Sequence, residues 1–100
     1  MPGPDDLLEG DIGAAARLMG MLASEARLEI LCRLLDGERS VNQLAQACRK
    51  PQPTMSQQLK RLKEARLVEG RREGQTVYYS VKGGEVAAVL ETLHALYCAR

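Results

Sequence analysis

Apolar positions in this 100-residue chain fall at helical spacing from residue 12. Ile12, Ala15, Leu18, Met19 and Leu22 predict a first helix over about 11–23. The preceding run MPGPDDLLEG has no apolar period and is broken by Pro and Gly, so residues 1–10 read as a flexible leader. Ser24 suits the N-cap of a second helix, Glu25 its positive N-terminal end, and Gly37 its stop. Within it Leu28, Leu31, Cys32 and Leu35 recur at one side, which predicts that Cys32 lies on the buried stripe.

Ser40-x-x-Gln43 has the form of a capping box and opens a short third helix with Val41, Leu44, Ala45 and Cys48. Pro51 and Pro53 are tolerated at a helix entry and not in its interior, so a fourth helix is expected from about 52 to 65. Met55, Leu59 and Leu62 make its narrow apolar seam, with Thr54, Gln57, Lys60, Arg61 and Glu64 opposite and Gln52 and Ser56 near the first turn. From Val68 the period changes to two. VEGRREGQTVYYSV predicts two strands around Glu73-Gly74, and a last helix over about 85–98 carries Val86, Val89, Leu90, Leu93 and Tyr97. The expected fold is mainly α with a β-hairpin wing, in the order four helices, hairpin, helix, with residues 11–100 forming one domain.

Charge sharpens this picture. Between Arg49 and Arg72 eight cations face two anions, while the whole chain carries only +1, so the remainder is acidic. Basic charge focused on the third and fourth helices and the hairpin is a footprint for a polyanion. A short helix, a tight turn and a helix with a polar outer face form a helix-turn-helix, whose second helix enters the major groove of DNA. Gln, Ser, Thr and Arg are suited to base edges there, which makes Gln52, Thr54, Ser56, Gln57, Gln58, Lys60 and Arg61 the candidate recognition residues. Lys63, Arg66, Arg71 and Arg72 would bind phosphates, and Gln75 lies near the tip of the hairpin, which reads as a wing.

Composition narrows the classes. With no Phe or Trp and three Tyr, the core must come from aliphatic helix packing, leaving little room for a large ligand pocket. No apolar run is long enough to span a bilayer, and the acidic start is unlike a secretory signal. A cytoplasmic location, with no membrane partner, is expected. Three widely spaced cysteines, Cys32, Cys48 and Cys98, suit a reducing compartment. One His with no orienting partner and no glycine-rich phosphate loop leaves no catalytic set, so neither an enzyme nor a bound cofactor is expected.

The segments LASEARLEILCRLLDGERSVNQLAQA, SQQLKRLKEARLV and RREGQTVYYSV resemble, in order and spacing, the ArsR/SmtB family of bacterial winged-helix repressors. The likeness runs from about residue 14 to 98. It implies a winged helix-turn-helix homodimer paired through its first and last helices, bound to an inverted-repeat operator in double-stranded DNA and released by an inducer. Three positions depart from the family pattern. Gln58 stands where many members have His, Pro51 and Pro53 replace Ser before the recognition helix, and Arg66 replaces a Gly at its end.

The resemblance brings metal as one candidate inducer, since many members of the family sense metals. The thiolate site of such members needs a Cys-x-Cys that is Ser40 and Asn42 here, and the last helix offers Glu85, Glu91 and His94 in place of Asp/His pairs. No metal site is therefore expected, the residual candidate being Cys98, His94 and Glu91. Cys32 and Cys98 instead resemble the dithiol of the persulfide-responsive, SqrR/BigR-like branch, which implies reactive sulfur species as inducer and a cross-link between these two thiols as the switch. General oxidants acting on the same thiols, a metal-responsive repressor, and a Cys32 that is simply a small core hydrophobe remain alternatives. Cys48 matches no sensor position.

Overall fold

The computed structural model describes residues 10–98, so the expected leader lies outside it apart from Gly10. The elements are α1 (Ile12–Leu22), α2 (Glu25–Leu34), β1 (Arg39–Ser40), α3 (Val41–Cys48), α4 (Gln52–Glu64), β2 (Val68–Glu73), β3 (Thr76–Val81) and α5 (Gly84–Tyr97). The expected order holds with one addition, the two-residue strand β1.

Helix starts follow from local chemistry. Asp11 accepts a hydrogen bond from the Ala14 amide at 3.0 Å, and Ser24 accepts one from Arg27. Ser40 and Gln43 complete the capping box, with the Gln43 amide donating to Ser40 Oγ at 3.2 Å and the Ser40 amide donating to Gln43 Oε1 at 2.8 Å. Pro51 enters α4 without any side-chain cap, and Pro53 occupies the first turn, where a missing N–H breaks no helical bond. Helix ends are held by cations: Arg27 Nε donates to the Met21 carbonyl at 2.8 Å and Arg39 Nε to the Arg33 carbonyl at 3.1 Å.

Both helices of the helix-turn-helix stop on a left-handed arginine, Arg49 with φ 56° after α3 and Arg66 with φ 64° after α4. In each case the following amide reaches back to close a Schellman motif, Lys50 to the Ala45 carbonyl at 3.0 Å and Leu67 to that of Leu62 at 2.9 Å. β2 and β3 pair antiparallel with Glu73 opposite Thr76, leaving Gly74-Gln75 as the turn. Gly74, with φ 64°, supplies the positive φ that a type II′ hairpin needs at its first central position. β1 adds to the other edge of β3, placing Arg39 opposite Tyr79 and Ser40 opposite Tyr78.

The core lies between the helices and this small sheet. Met55, Leu59 and Leu62 of α4 are buried as their spacing predicts. The face that α2 buries differs from expectation: Ile30, Leu31 and Leu34 are in the core, while Leu28, Cys32 and Leu35 are half-buried on its flank. The reason is that α2 is central, with α1, α3, β3 and α5 packed around it, so its buried face is set by several partners and not by one seam. The stripes expected on α1 and α5 are only partly covered within one chain. Leu22, Val86 and Leu90 are buried, but Ile12, Met19, Leu96 and Tyr97 are 53–72% exposed.

Candidate nucleic-acid interface and thiol pair

Helix α4 meets α3 through its buried seam and turns its other side outward. Gln52, Thr54, Ser56, Gln57, Lys60 and Arg61 are all exposed, and Gln57, Lys60 and Arg61 share one face because they stand three and four residues apart. Gln58 does not join this row. It is half-buried, and its Oε1 lies beneath the surface with no hydrogen-bond partner among the described residues. Gln58 stands three residues after Met55 and four before Leu62, so it lies along the edge of the buried seam rather than in the outward row.

The wing carries Arg71, Arg72 and Gln75, each exposed. Arg71 is already engaged. Its Nε and Nη2 donate to both oxygens of Glu38 at 2.9–3.2 Å, and its Nη1 donates to Glu73 Oε2 at 2.8 Å. The guanidinium also lies 5.2 Å from the centre of the Tyr78 ring. Hydrogen bonds and charge from Glu38 and Glu73 push the Arg71 guanidinium further above its normal range, and Arg71 holds the Glu38 carboxyl below the usual carboxylate range. Arg72 makes no such pair among the described residues. Glu38 was invisible in the sequence, because it lies in the irregular link between α2 and β1 and its partner is 33 residues away.

Cys32 sits on the flank of α2 that faces α5, and Cys98 follows the last turn of α5, its amide donating to the His94 carbonyl at 2.8 Å. Both thiols are free, Cys32 half-buried and Cys98 exposed. Burial pushes the Cys32 thiol up, and the charge of Cys98 adds to the shift. The helix that carries Cys32 and the helix that leads into Cys98 pack against each other. Beside Cys32 opens a groove of about 290 Å³ lined by Leu35 and Asp36, just past the end of α2, and by Glu91, His94 and Ala95 from α5. His94, whose carbonyl accepts from the Cys98 amide, thus lines the same groove as Cys32. Cys48 is elsewhere, buried at the end of α3, where burial and Glu29 raise its thiol while Arg33 lowers it. Among the described residues no three His, Cys, Asp or Glu side chains converge as metal ligands.

The pattern of the bacterial regulatory protein, arsR family, matches residues 24–70, from α2 into the wing. The transcriptional activator HlyU of Vibrio cholerae is 43% identical over 91 residues, which cover 91% of this chain and 84% of HlyU. The chain belongs to the arsR family. Known arsR-family architecture extends over nearly all of it: reduced HlyU matches with a TM-score of 0.88 at 42% identity, over 93% of this chain and 98% of that one. The transcriptional repressor BigR from Xylella fastidiosa matches with a TM-score of 0.88 at 33% identity, over 98% and 100%. A homodimeric winged helix-turn-helix DNA-binding domain from Mycobacterium bovis matches with a TM-score of 0.78 at 36% identity, over 96% and 89%. As an arsR-family protein the chain is a transcriptional regulator and not an enzyme. None of its described helices is long and apolar enough to cross a membrane.

Proposed function

We propose that this regulator is a homodimeric repressor that binds an inverted-repeat operator and lets go when reactive sulfur species cross-link Cys32 to Cys98. The observation that supports the reading is that α2 and α5, the helices that carry Cys32 and lead into Cys98, pack against each other, with Cys32 half-buried beside a groove lined by α5 and Cys98 open to solvent. The dimer is supported by the exposed apolar side chains of α1 and α5 and by the homodimeric relative from M. bovis. DNA binding is supported by the outward polar row of α4 and by the DNA-binding function of that relative. Gln57, Lys60 and Arg61 face the bases, with Gln52, Thr54 and Ser56 at the helix entrance and Arg72 and Gln75 on the wing.

The chemistry balances with a persulfide as oxidant. The exposed Cys98 thiolate attacks the outer sulfur of RSSH, the S–S bond breaks, and RS⁻ leaves and takes a proton. Cys98 now carries a persulfide. The Cys32 thiolate attacks the Cys98 Sγ, forming the disulfide and expelling hydrosulfide, so that two thiols and RSSH become one disulfide, RSH and H₂S. The link ties the last helix to α2. Because α5 also carries the exposed Leu96 and Tyr97 offered to the partner protomer, a discrete shift there changes the separation of the two recognition helices, which must span one helical turn of about 34 Å.

The test is fluorescence anisotropy of the reduced protein on its own upstream DNA, before and after glutathione persulfide, with intact mass read on the same samples. Binding should be lost as the Cys32–Cys98 link appears, and Cys32→Ser and Cys98→Ser proteins should stay bound. Release of both variants as readily as the wild type would overturn the dithiol switch.

A further inference from the structure

The sequence assigns Arg71 to phosphate, yet the structure gives all three of its guanidinium nitrogens to carboxylates. The cluster of Glu38, Arg71 and Glu73 has one positive and two negative charges, which makes it a poor seat for a phosphate. Exposed ion pairs are usually weak, the exceptions being bidentate Arg–carboxylate forks and charge networks. Arg71 is both, and it lies on the Tyr78 ring besides.

What the cluster joins is more informative than its charge. Glu38 lies four residues beyond Leu34, the last residue of the thiol helix α2, and Leu35 and Asp36 between them line the groove beside Cys32. Arg71 lies on β2, the outer strand of the wing. A second tie runs alongside: Arg39 donates from the start of β1 to the Arg33 carbonyl in the last turn of α2, and pairs across the sheet with Tyr79 of β3. The link that leaves α2 is therefore fastened to β2 by the ion-pair network, and the last turn of α2 itself is fastened to β1, and through it to β3, by the Arg39 capping bond. A rigid element fastened in this way passes on a displacement of its end, whereas a loop of solvated side chains would absorb it.

We infer that Glu38 and Arg71 are positioning residues: they couple the thiol helix to the wing, and Arg71 is not a phosphate contact. This rests on the thiol-switch reading above. Cross-linking Cys32 to Cys98 moves the end of α2, Glu38 carries Arg71 with it, and the wing leaves its seat on the DNA. Arg72, with no carboxylate partner among the described residues, is the wing cation that remains for phosphate.

The experiment compares operator affinity in the reduced and fully cross-linked states of the wild type, Glu38→Gln, Arg71→Ala and the double variant, with complete linkage verified by intact mass. The ratio of the two affinities is the readout, and the salt dependence of the reduced proteins is the second. Each single variant should shrink the wild-type ratio about fivefold, and the double variant should shrink it no further. The salt slope of reduced Arg71→Ala should equal that of the wild type, while Arg72→Ala flattens it by about one unit. Wild-type ratios in both single variants would overturn the coupling, as would a slope flattened by Arg71→Ala. A wild type that stays on DNA when fully cross-linked would instead remove the thiol switch itself.

Discussion

At the scale of single residues the two thiols differ in access and in environment. Cys98 is open to solvent, while the flank position of Cys32 leaves it half-buried, with burial and then the charge of Cys98 pushing its thiol up. The native state thus keeps the Cys32 proton at pH values where an unfolded chain has released it. Its contribution to stability is intact below the ordinary thiol range and fades as the pH rises through the folded value. Reactivity runs the other way, because the thiolate is the nucleophile. With iodoacetamide at neutral pH, mass mapping should find Cys98 alkylated first and Cys32 lagging, with the lag shrinking as the solution is made alkaline. Equal rates at neutral pH would contradict the environment described for Cys32. Helical spacing put Cys32 on the buried stripe of α2, whereas it packs against the edge of the core. The spacing missed the half-exposure, because the packing of α5, more than 50 residues away in sequence, decides which flank is covered.

At the scale of elements the helix-turn-helix was legible and its fastenings were not. The seam Met55, Leu59, Leu62 and the capping box at Ser40 are local patterns, and local patterns survive in the sequence. Strand β1 is two residues long, too short to show a period, and its Ser40 is also the N-cap of α3. The arginine caps Arg27 and Arg39 reach back six residues, past the span of any helical repeat. Arg66 is the case where a departure from the family pattern had a physical reading, since the Schellman turn needs a left-handed residue and the chain supplies one without glycine, at φ 64°. A side chain in that conformation costs about 1 kcal/mol relative to glycine. Arg66→Gly should therefore raise the unfolding free energy by about 1 kcal/mol in urea, with an unchanged m-value. A variant no more stable than the parent would mean that the arginine side chain returns as much as its backbone loses.

At the scale of the whole molecule the apolar surface left over is the main fact. Ile12 and Met19 on α1 and Leu96 and Tyr97 on α5 are large, apolar and 53–72% exposed, and they belong to the two helices that flank α2 on the outside of the chain. Covering side chains of this size contributes roughly 1.5–3 kcal/mol each when burial is complete, so four per protomer are enough to drive a two-fold pairing. The periodicity of α1 and α5 marked Ile12, Met19 and Tyr97 but missed Leu96, and it gave no partner, since a stripe buried within the chain and one buried against a second copy look alike in sequence. The two cases part under mutation. Met19→Glu combined with Leu96→Glu leaves the core seam untouched, so circular dichroism should be unchanged, whereas sedimentation equilibrium should show monomers. Operator affinity should fall well beyond the loss expected from two added charges. An inverted repeat is bound by two recognition helices held at one spacing, and a monomer must reach the second half-site as an independent event. A double variant that remains a dimer would place the pairing surface elsewhere. A monomer that binds the inverted repeat as tightly as the parent would show that one protomer suffices, and a cross-link that acts by respacing two protomers would then have nothing to act on.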